Sequence, residues 1–265
     1  MKLIAVDIDG TLINCKNQIS KKTKDTLIKA AKIGNKIVIV SGRPAPGLRA
    51  LAKELEFDKF HGLLSSNNGS TITDFASGEI IADHFLDMDL ARKILKESQK
   101  IDLEIVLPHG DILISDKNHK YLDHELRLLK LQSKIIPDVR ENLSFKINKI
   151  LFAGEPEKVD KYYPFLEENY GEITSQVRSH PYNYEVMPKG LSKGASLLEI
   201  AKYYQIKRED IIAFGDELND LTMIESAGVG VAMANAVDDL KEIADYITLS
   251  NDEDGIAYYL DRFIL

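Results

Sequence analysis

Two aspartates stand one residue apart directly after the first apolar segment of the chain. Residues 2–6 form a run without polar alternation, which is typical of a buried strand in a parallel sheet, and Asp7 and Asp9 follow it. Side chains two positions apart in an extended segment point the same way, so both carboxylates face one side. Gly10 then allows the backbone to turn, and Thr11 is predicted to cap that turn.

The close spacing of Asp7 and Asp9 has an electrostatic cost. Two carboxylates this near repel each other unless a cation or a shared proton lies between them. The pair therefore indicates a functional site. For this pair alone, an acidic turn that only ends a strand is an equally good interpretation.

A second polar turn follows a second apolar segment, residues 36–40. Between the two segments, Ser20 precedes a helical pattern that stops at Gly34, so strand, helix and strand form one right-handed parallel unit. After the second strand, Ser41 offers a hydroxyl and Gly42 lets backbone amides approach an anion. Ligands of parallel sheets bind beyond the carboxyl ends of the strands, so this turn is expected beside the aspartates. Taken alone, an ordinary strand-to-helix turn is the better interpretation.

A lysine stands at the predicted start of a later helix. Ser192 is a good helix cap, which places Lys193 in the first turn. A cation there opposes the helix macrodipole at a cost of about 0.3–1 kcal/mol. This position is reasonable if an anion lies in front of the helix. A solvated surface lysine is the alternative, and Lys189 is a second candidate for the same role.

A third acidic cluster follows the apolar residues 211–214. Hard cations such as Mg²⁺ bind one or two carboxylates together with water and phosphate oxygens. Asp216 can supply one such carboxylate beside Asp7. Asn219 and Asp220 follow in the same turn and are expected to orient water or the lysine.

The order of the elements predicts an α/β fold, with a Rossmann-like parallel sheet core and an inserted α+β domain. Residues 1–83 and 185–265 alternate strands and helices and form the core. Residues 84–184 contain paired strands mixed with helices, the pattern of an antiparallel α+β unit. We therefore predict a two-domain chain with short connections.

Composition limits the classes of partner. The 265 residues carry a net charge of −8, which argues against a nucleic acid or an anionic membrane as the main partner. No apolar run approaches the roughly 18 residues that span a bilayer. The single cysteine, Cys15, cannot form an internal disulfide, which fits a reducing compartment. We expect a cytoplasmic protein that is a monomer or a weak homodimer, with no nucleic-acid or membrane partner.

Four segments resemble, in order, the four motifs of the haloacid dehalogenase (HAD) superfamily. They are residues 7–11, 41–43, 193–194 and 215–220. Any one of these motifs is weak evidence, but four in order at predicted strand ends are highly specific. The insertion is similar in position and style to the α+β (type IIB) cap of the Cof-type phosphatases, and residues 185–194 and 227–236 also look like that subfamily.

The resemblance implies a Mg²⁺-dependent phosphatase acting on a small phosphorylated metabolite, such as a sugar phosphate, a nucleotide or a phosphorylated cofactor. Asp7 would be the nucleophile that forms an aspartyl-phosphate, and Asp9 the general acid and base. Ser41 and Lys193 would bind the phosphoryl oxygens. The implied metal set is Asp7, Asp9 through its carbonyl, Asp216 and Asp220, and the implied substrate-binding set is Arg43, Asn68, Asn219 and Gly42.

Two other functions are compatible with the same motifs. A phosphomutase would differ only in the acceptor of the phosphoryl group. A phospho-accepting module without turnover belongs to another class, and Asp9 argues against it because a neighbouring acid and base shortens the life of an aspartyl-phosphate.

Overall fold

The computed structural model describes all 265 residues of the protein and divides into two compact units. The first unit comprises Met1–Gly42, Leu48–Ala82 and Ser192–Leu265, and the second comprises Arg43–Gly47 and Asp83–Leu191. The predicted insertion, 84–184, lies inside the second unit. That unit continues to Leu191 because its last strand pairs with two other strands of the same unit.

The chain forms fourteen strands and ten α-helices. The strands are β1 (Leu3–Val6), β2 (Lys36–Val40), β3 (Leu63–Ser66), β4 (Thr71–Asp74), β5 (Ile80–Asp83), β6 (Glu104–His109), β7 (Ile112–Ser115), β8 (Gln132–Ile135), β9 (Ile150–Ala153), β10 (Thr174–His180), β11 (Asn183–Pro188), β12 (Ile211–Gly215), β13 (Val229–Ala232) and β14 (Tyr246–Ile247). The helices are α1 (Lys21–Lys32), α2 (Arg49–Glu54), α3 (Phe57–Phe60), α4 (Met88–Glu97), α5 (Lys120–Leu129), α6 (Pro156–Tyr170), α7 (Lys193–Tyr203), α8 (Leu221–Ser226), α9 (Asp238–Ile243) and α10 (Gly255–Phe263). No helix is both long and apolar enough to cross a lipid bilayer.

The first unit is built on an eight-stranded sheet with the order β14-β13-β12-β1-β2-β3-β4-β5. The strands from β14 to β3 are parallel, and β4 runs antiparallel to β3. In the register of the sheet, Val6 at the end of β1 lies opposite Ile39 of β2 and Phe214 of β12. The turns that follow these three strands therefore share one edge, and the predicted Rossmann-like α/β core is confirmed.

Helices cover both faces of this sheet, which explains why its central strands are apolar throughout. Ile4 and Val6 pack into one buried cluster, while Leu3 and Ala5 of the same strand pack into another. Helices α1 and α10 contribute to the first cluster, and α7 and α8 contribute to the second. The predicted cap of α1 is also present, since the Oγ of Ser20 accepts a hydrogen bond from the backbone of residue 23.

The second unit contains a six-stranded sheet with the order β10-β11-β9-β6-β7-β8. Its pairs are antiparallel except for β7 with β8, so the predicted α+β character is confirmed. Buried side chains of α4 and α6 pack in one cluster, and those of α5 pack in another. Strand β8 was not predicted, because its sequence Gln-Ser-Lys-Ile lies at the edge of the sheet and is exposed over its first three residues.

Candidate active site

Three carboxylates converge at the carboxyl ends of β1 and β12. Asp7 directly follows β1, and its backbone N–H donates to the carbonyl of Phe214 at 3.1 Å. Asp216 directly follows β12, and Asp220 ends the short helical turn Leu218–Asp220. One oxygen of each carboxylate lies within 4.8 Å of the others, and all three residues are buried. The structure thus brings together the acidic residues that two distant sequence motifs supply.

Lys193 lies among these carboxylates. Ser192 caps α7 by accepting from the Ala195 N–H at 3.1 Å, so the lysine occupies the first turn as predicted. Its Nζ is 2.9 Å from Asp7 Oδ1 and 2.5 Å from Asp220 Oδ1, and the residue is only 1% exposed. The anion expected in front of the helix is therefore a pair of carboxylates, and the surface-lysine alternative is wrong.

Asp220 uses both of its oxygens inside the protein. Oδ1 contacts the ammonium of Lys193, and Oδ2 accepts from the backbone N–H groups of Asp216 at 2.9 Å and Glu217 at 3.2 Å. Gly215 makes room for this side chain, because a Cβ there would lie 2.6 Å from that of Asp220. The structure therefore favours Asp220 as a residue that orients Lys193 and the turn after β12.

Gly10 and Thr11 hold the carboxylate of Asp216. Thr11 Oγ1 donates to Asp216 Oδ1 at 2.6 Å, and a Cβ at Gly10 would lie 2.0 Å from Asp216 Oδ2. Gly10 also has a φ of 76°, which disfavours any other residue. The prediction that Thr11 caps its own turn is wrong, because its hydroxyl reaches a side chain 205 residues later in the sequence.

The buried acidic cluster is short of positive charge. Burial raises the pKa of Asp7 to about 7, against the opposing effect of Lys193. Burial likewise raises the pKa of Asp216 to about 8, and the charges of Asp7 and Asp220 add to the effect. Burial alone would lower the pKa of Lys193, but the two carboxylates beside it outweigh that cost and hold it above its ordinary value. A further cation would relieve the remaining repulsion.

The donor set fits Mg²⁺. Carboxylate oxygens are the ligands that this hard cation prefers, and Asp7 and Asp216 offer them from two neighbouring strand ends. The side chain of Asp9 is not part of the trio of carboxylates, and the contribution of its carbonyl to a metal site stays a prediction. Asp9 itself is half-buried beside Asp7.

A polar cradle lies after the neighbouring strands β2 and β3. Ser41 is buried, its N–H donates to the Ser65 carbonyl, and its carbonyl accepts from the Asn68 N–H, both at 2.9 Å. A Cβ at Gly42 would lie 3.1 Å from Asn68 Oδ1 and 3.7 Å from Asn219 Nδ2. The polar cradle therefore consists of four adjacent residues that are predicted to bind the phosphoryl group or the substrate: Ser41, Gly42, Asn68 and Asn219.

The backbone after β3 is strained. Asn67 and Asn68 have φ values of 50° and 55°, in the left-handed region that costs energy for residues other than glycine. Such strain is common at functional sites, where the surrounding structure maintains it. Arg43, in contrast, belongs to the segment Arg43–Gly47 of the second unit, and its contact with a substrate stays a prediction.

Comparison with known proteins shows similarity over the whole chain. Residues 4–260 match the family of haloacid dehalogenase-like hydrolases. The 5-amino-6-(5-phospho-D-ribitylamino)uracil phosphatase YitU of Bacillus subtilis is 31% identical over 268 residues, which cover 98% of this chain and 97% of the relative. The crystal structure of a haloacid dehalogenase-like hydrolase from Bacteroides thetaiotaomicron is 34% identical, with a TM-score of 0.90 and 99% of each chain covered.

The fold is also shared with a sugar phosphatase of HAD subclass IIB, BT4131, at 23% identity, a TM-score of 0.84 and 99% coverage of each chain. The identification of the four motifs as those of a haloacid dehalogenase-like hydrolase is confirmed, and the chain shares the fold of this subclass IIB protein. With a family match over nearly its full length, the chain belongs to the haloacid dehalogenase-like hydrolases.

Proposed function

We propose that this protein is a Mg²⁺-dependent phosphatase that hydrolyses small phosphorylated metabolites through an aspartyl-phosphate on Asp7. The observation that carries the proposal is the convergence of Asp7, Asp216 and Lys193 at one edge of a parallel sheet. A nucleophilic carboxylate needs nearby positive charge before it can approach a phosphate dianion. Membership of a hydrolase family with phosphatases among its relatives supports the same function.

Asp7 and Asp9 share the bond-making and proton-transfer steps. A carboxylate oxygen of Asp7 attacks phosphorus, and the bond between phosphorus and the ester oxygen breaks. Asp9 gives its proton to the departing alkoxide and then takes a proton from the water that attacks the same phosphorus. As the water oxygen bonds to phosphorus, the bond between phosphorus and the Asp7 oxygen breaks. Inorganic phosphate leaves, Asp7 is again a carboxylate and Asp9 is again protonated.

Lys193 and Ser41 bind the phosphoryl oxygens in this proposal. Asp220 holds the ammonium of Lys193 beside Asp7, so its positive charge is positioned before the substrate arrives. Preorganised charge of this type stabilises a transition state without further rearrangement. Asn68, Asn219 and Gly42 lie together in the polar cradle and are proposed to contact the substrate, with Arg43 as a further contact.

The metal would be held by Asp7, Asp216 and the carbonyl of Asp9. When bound, Mg²⁺ supplies charge neutralisation between the nucleophile and the phosphoryl group. Thr11 and Gly10 keep the carboxylate of Asp216 in place for this role. Asp220 completes the acidic set, but its oxygens are engaged by Lys193 and by two backbone amides.

The proposed substrates are sugar phosphates or phosphorylated intermediates of a cofactor. The relative YitU acts on a phosphorylated ribitylaminouracil, and BT4131 is named a sugar phosphatase. Both compound classes present a phosphate monoester on a polyhydroxylated carbon chain. We also infer a cytoplasmic location, with the chain acting as a monomer or a weak homodimer and without a nucleic-acid or membrane partner.

Phosphate release from a panel of phosphorylated metabolites, with and without Mg²⁺, tests the proposal. We expect turnover that requires Mg²⁺ and is lost in Asp7→Asn, with Asn14→Asp as a control that adds a charge outside the acidic cluster. Movement of phosphate within a sugar, without release, would instead support a phosphomutase. A stable phosphorylated protein with no release would support a phospho-accepting module.

A further inference from the structure

The turn that carries Asp9 is closed by two backbone hydrogen bonds. The Leu12 N–H donates to the Asp7 carbonyl at 3.2 Å, and the Ile13 N–H donates to the Ile8 carbonyl at 3.0 Å. Within this turn, Asp9 and Gly10 have non-helical dihedral angles, with a ψ of 121° at Asp9 and a φ of 76° at Gly10. Because glycine can adopt many conformations, the direction of Asp9 depends on what fixes Gly10.

Two asparagines hold this turn from outside. Asn235 Nδ2 donates to the carbonyl of Gly10 at 2.8 Å. Its Oδ1 accepts from the backbone N–H of Asn251 at 3.1 Å, and Asn251 Nδ2 donates to the carbonyl of Ile13 at 2.8 Å. The two side chains thus form one hydrogen-bonded bridge that reaches the middle of the turn at Gly10 and its end at Ile13, which we call the asparagine bridge.

The asparagine bridge is anchored to the sheet next to the site. Asn235 follows β13, and its neighbour Ala234 donates through its N–H to the carbonyl of Leu249, which follows β14, at 3.3 Å. The segment after β14 also contacts the loop between β1 and α1, since Asp252 accepts a hydrogen bond from the Cys15 N–H at 2.8 Å. The bridge is therefore attached to the segments that directly follow β13 and β14.

Fixing the carbonyl of Gly10 fixes the peptide plane that follows it. With that plane held, the left-handed conformation of Gly10 is maintained, and the preceding residue, Asp9, keeps its direction. A displacement of about 1 Å in a catalytic group can cost about 100-fold in rate. Neither asparagine side chain is hydrogen-bonded to a carboxylate of the acidic cluster, so we expect the bridge to act on the reaction through the backbone of the turn.

We propose that Asn235 and Asn251 are positioning residues for the proton transfer by Asp9. This inference rests on the phosphatase function proposed above. It predicts a dependence of the rate on the leaving group, because proton donation by Asp9 matters most when the leaving group is a poor one. Loss of the asparagine bridge should therefore slow the hydrolysis of phosphate esters of weakly acidic alcohols or phenols more than that of phosphate esters of strongly acidic phenols.

Asn235→Asp is the most informative variant. A carboxylate keeps the oxygen that accepts from the Asn251 N–H but cannot donate to the carbonyl of Gly10. Asn14→Asp is the control for charge, because it adds the same charge to the loop between β1 and α1, which the bridge contacts. Asn14 accepts from the N–H groups of Lys16 and Gln18, which an aspartate can also do. Asn235→Ala provides a variant without added charge, and Asn251→Asp tests the second half of the bridge.

The assay is kcat/KM for phenyl phosphate and 4-nitrophenyl phosphate, which differ in the acidity of the leaving phenol. We expect Asn235→Asp and Asn235→Ala to lower kcat/KM about tenfold for phenyl phosphate and less than about threefold for the nitrophenyl ester. Asn14→Asp should match the wild type with both substrates. The unfolding temperature of each variant should stay close to the wild-type value. Both esters are assayed at saturating Mg²⁺, because the carbonyl of Asp9 is a proposed metal ligand in the same turn and loss of the bridge is expected to weaken Mg²⁺ binding as well.

An equal loss with both esters, or no loss with either, would overturn the inference. A loss with Asn14→Asp equal to that with Asn235→Asp would also overturn it, since charge alone would then explain the effect. Asp7→Asn and Asp9→Asn separate this outcome from failure of the proposed function. If Asp7→Asn still hydrolyses the esters, or Asp9→Asn keeps the wild-type leaving-group dependence, the proposed mechanism itself is wrong.

Discussion

Replacing Thr11 by valine would remove one hydroxyl group while keeping the shape of the side chain. That hydroxyl donates to Asp216 at 2.6 Å, and the two residues are 2% and 7% exposed, so water has little access to replace it. A buried hydrogen bond to a charged group contributes about 1.5–3 kcal/mol. At about 1.4 kcal/mol for each factor of ten, this corresponds to roughly 10- to 150-fold in an equilibrium constant.

The metal affinity should respond directly to this loss. The hydrogen bond from Thr11 lowers the pKa of Asp216, so its removal lets protons compete better with Mg²⁺ for the carboxylate. We expect the Kd for Mg²⁺ to rise about 10- to 100-fold in Thr11→Val. The deficit should be larger at pH 6 than at pH 9, because proton competition fades as pH rises.

Calorimetric titration of the apoprotein with Mg²⁺ measures this effect without relying on turnover. Thr11→Ser is the matched control, since it keeps the donor and loses only a methyl group, and its affinity should stay near that of the wild type. Wild-type affinity in Thr11→Val would refute the reasoning. A loss in Thr11→Ser as large as in Thr11→Val would refute it equally, because packing would then be responsible.

Three further predictions concern protonation and packing. Without Mg²⁺, the free energy of unfolding should fall as pH rises from about 4 to about 8, because the raised pKa values of Asp7 (about 7) and Asp216 (about 8) make the folded chain bind more protons than the unfolded chain. Thermal unfolding at several pH values checks this, and Asp216→Asn should flatten the profile; an unchanged slope would contradict it. In the second unit, Lys149 and Glu185 form a buried ion pair at 2.9 Å, so Lys149→Met should destabilise by about 3–5 kcal/mol in urea unfolding, and adding Glu185→Met should recover most of the loss. Gly194→Ala should destabilise by about 1–3 kcal/mol, because its Cβ would lie 2.2 Å from a carbonyl oxygen of α8; wild-type stability would show that the helices can separate freely.

The sheet and the main site residues could be predicted because the relevant signals are local. Continuous apolar runs mark the buried strands, and a polar residue directly after each run marks the edge where ligands bind. These signals predict that Asp7, Ser41 and Asp216 lie at one edge of the sheet. Ser192 before the apolar stripe of α7 likewise placed Lys193 in a first helical turn.

Other parts of the site depend on geometry that leaves no sequence signature. The turn Ile8–Leu12 brings the hydroxyl of Thr11 to Asp216, and no local pattern predicts a bond between residues so far apart. Asn235 and Asn251 were missed for the same reason, because each meets the turn only through a backbone carbonyl. The double use of Asp220 follows from the short turn after β12, whose direction the sequence does not specify.

Strand β1 lies between β2, which follows within the first forty residues, and β12, whose Ile211 pairs with Leu3. During synthesis from the amino terminus, one side of β1 therefore stays unpaired until the much later strand β12 has been made. Contacts between such distant segments form slowly, because a long loop must close before they can be made. Asp7, the proposed nucleophile, is thus translated well before Asp216 and Asp220, and the acidic cluster can assemble only after β12 and the turn that follows it have been made.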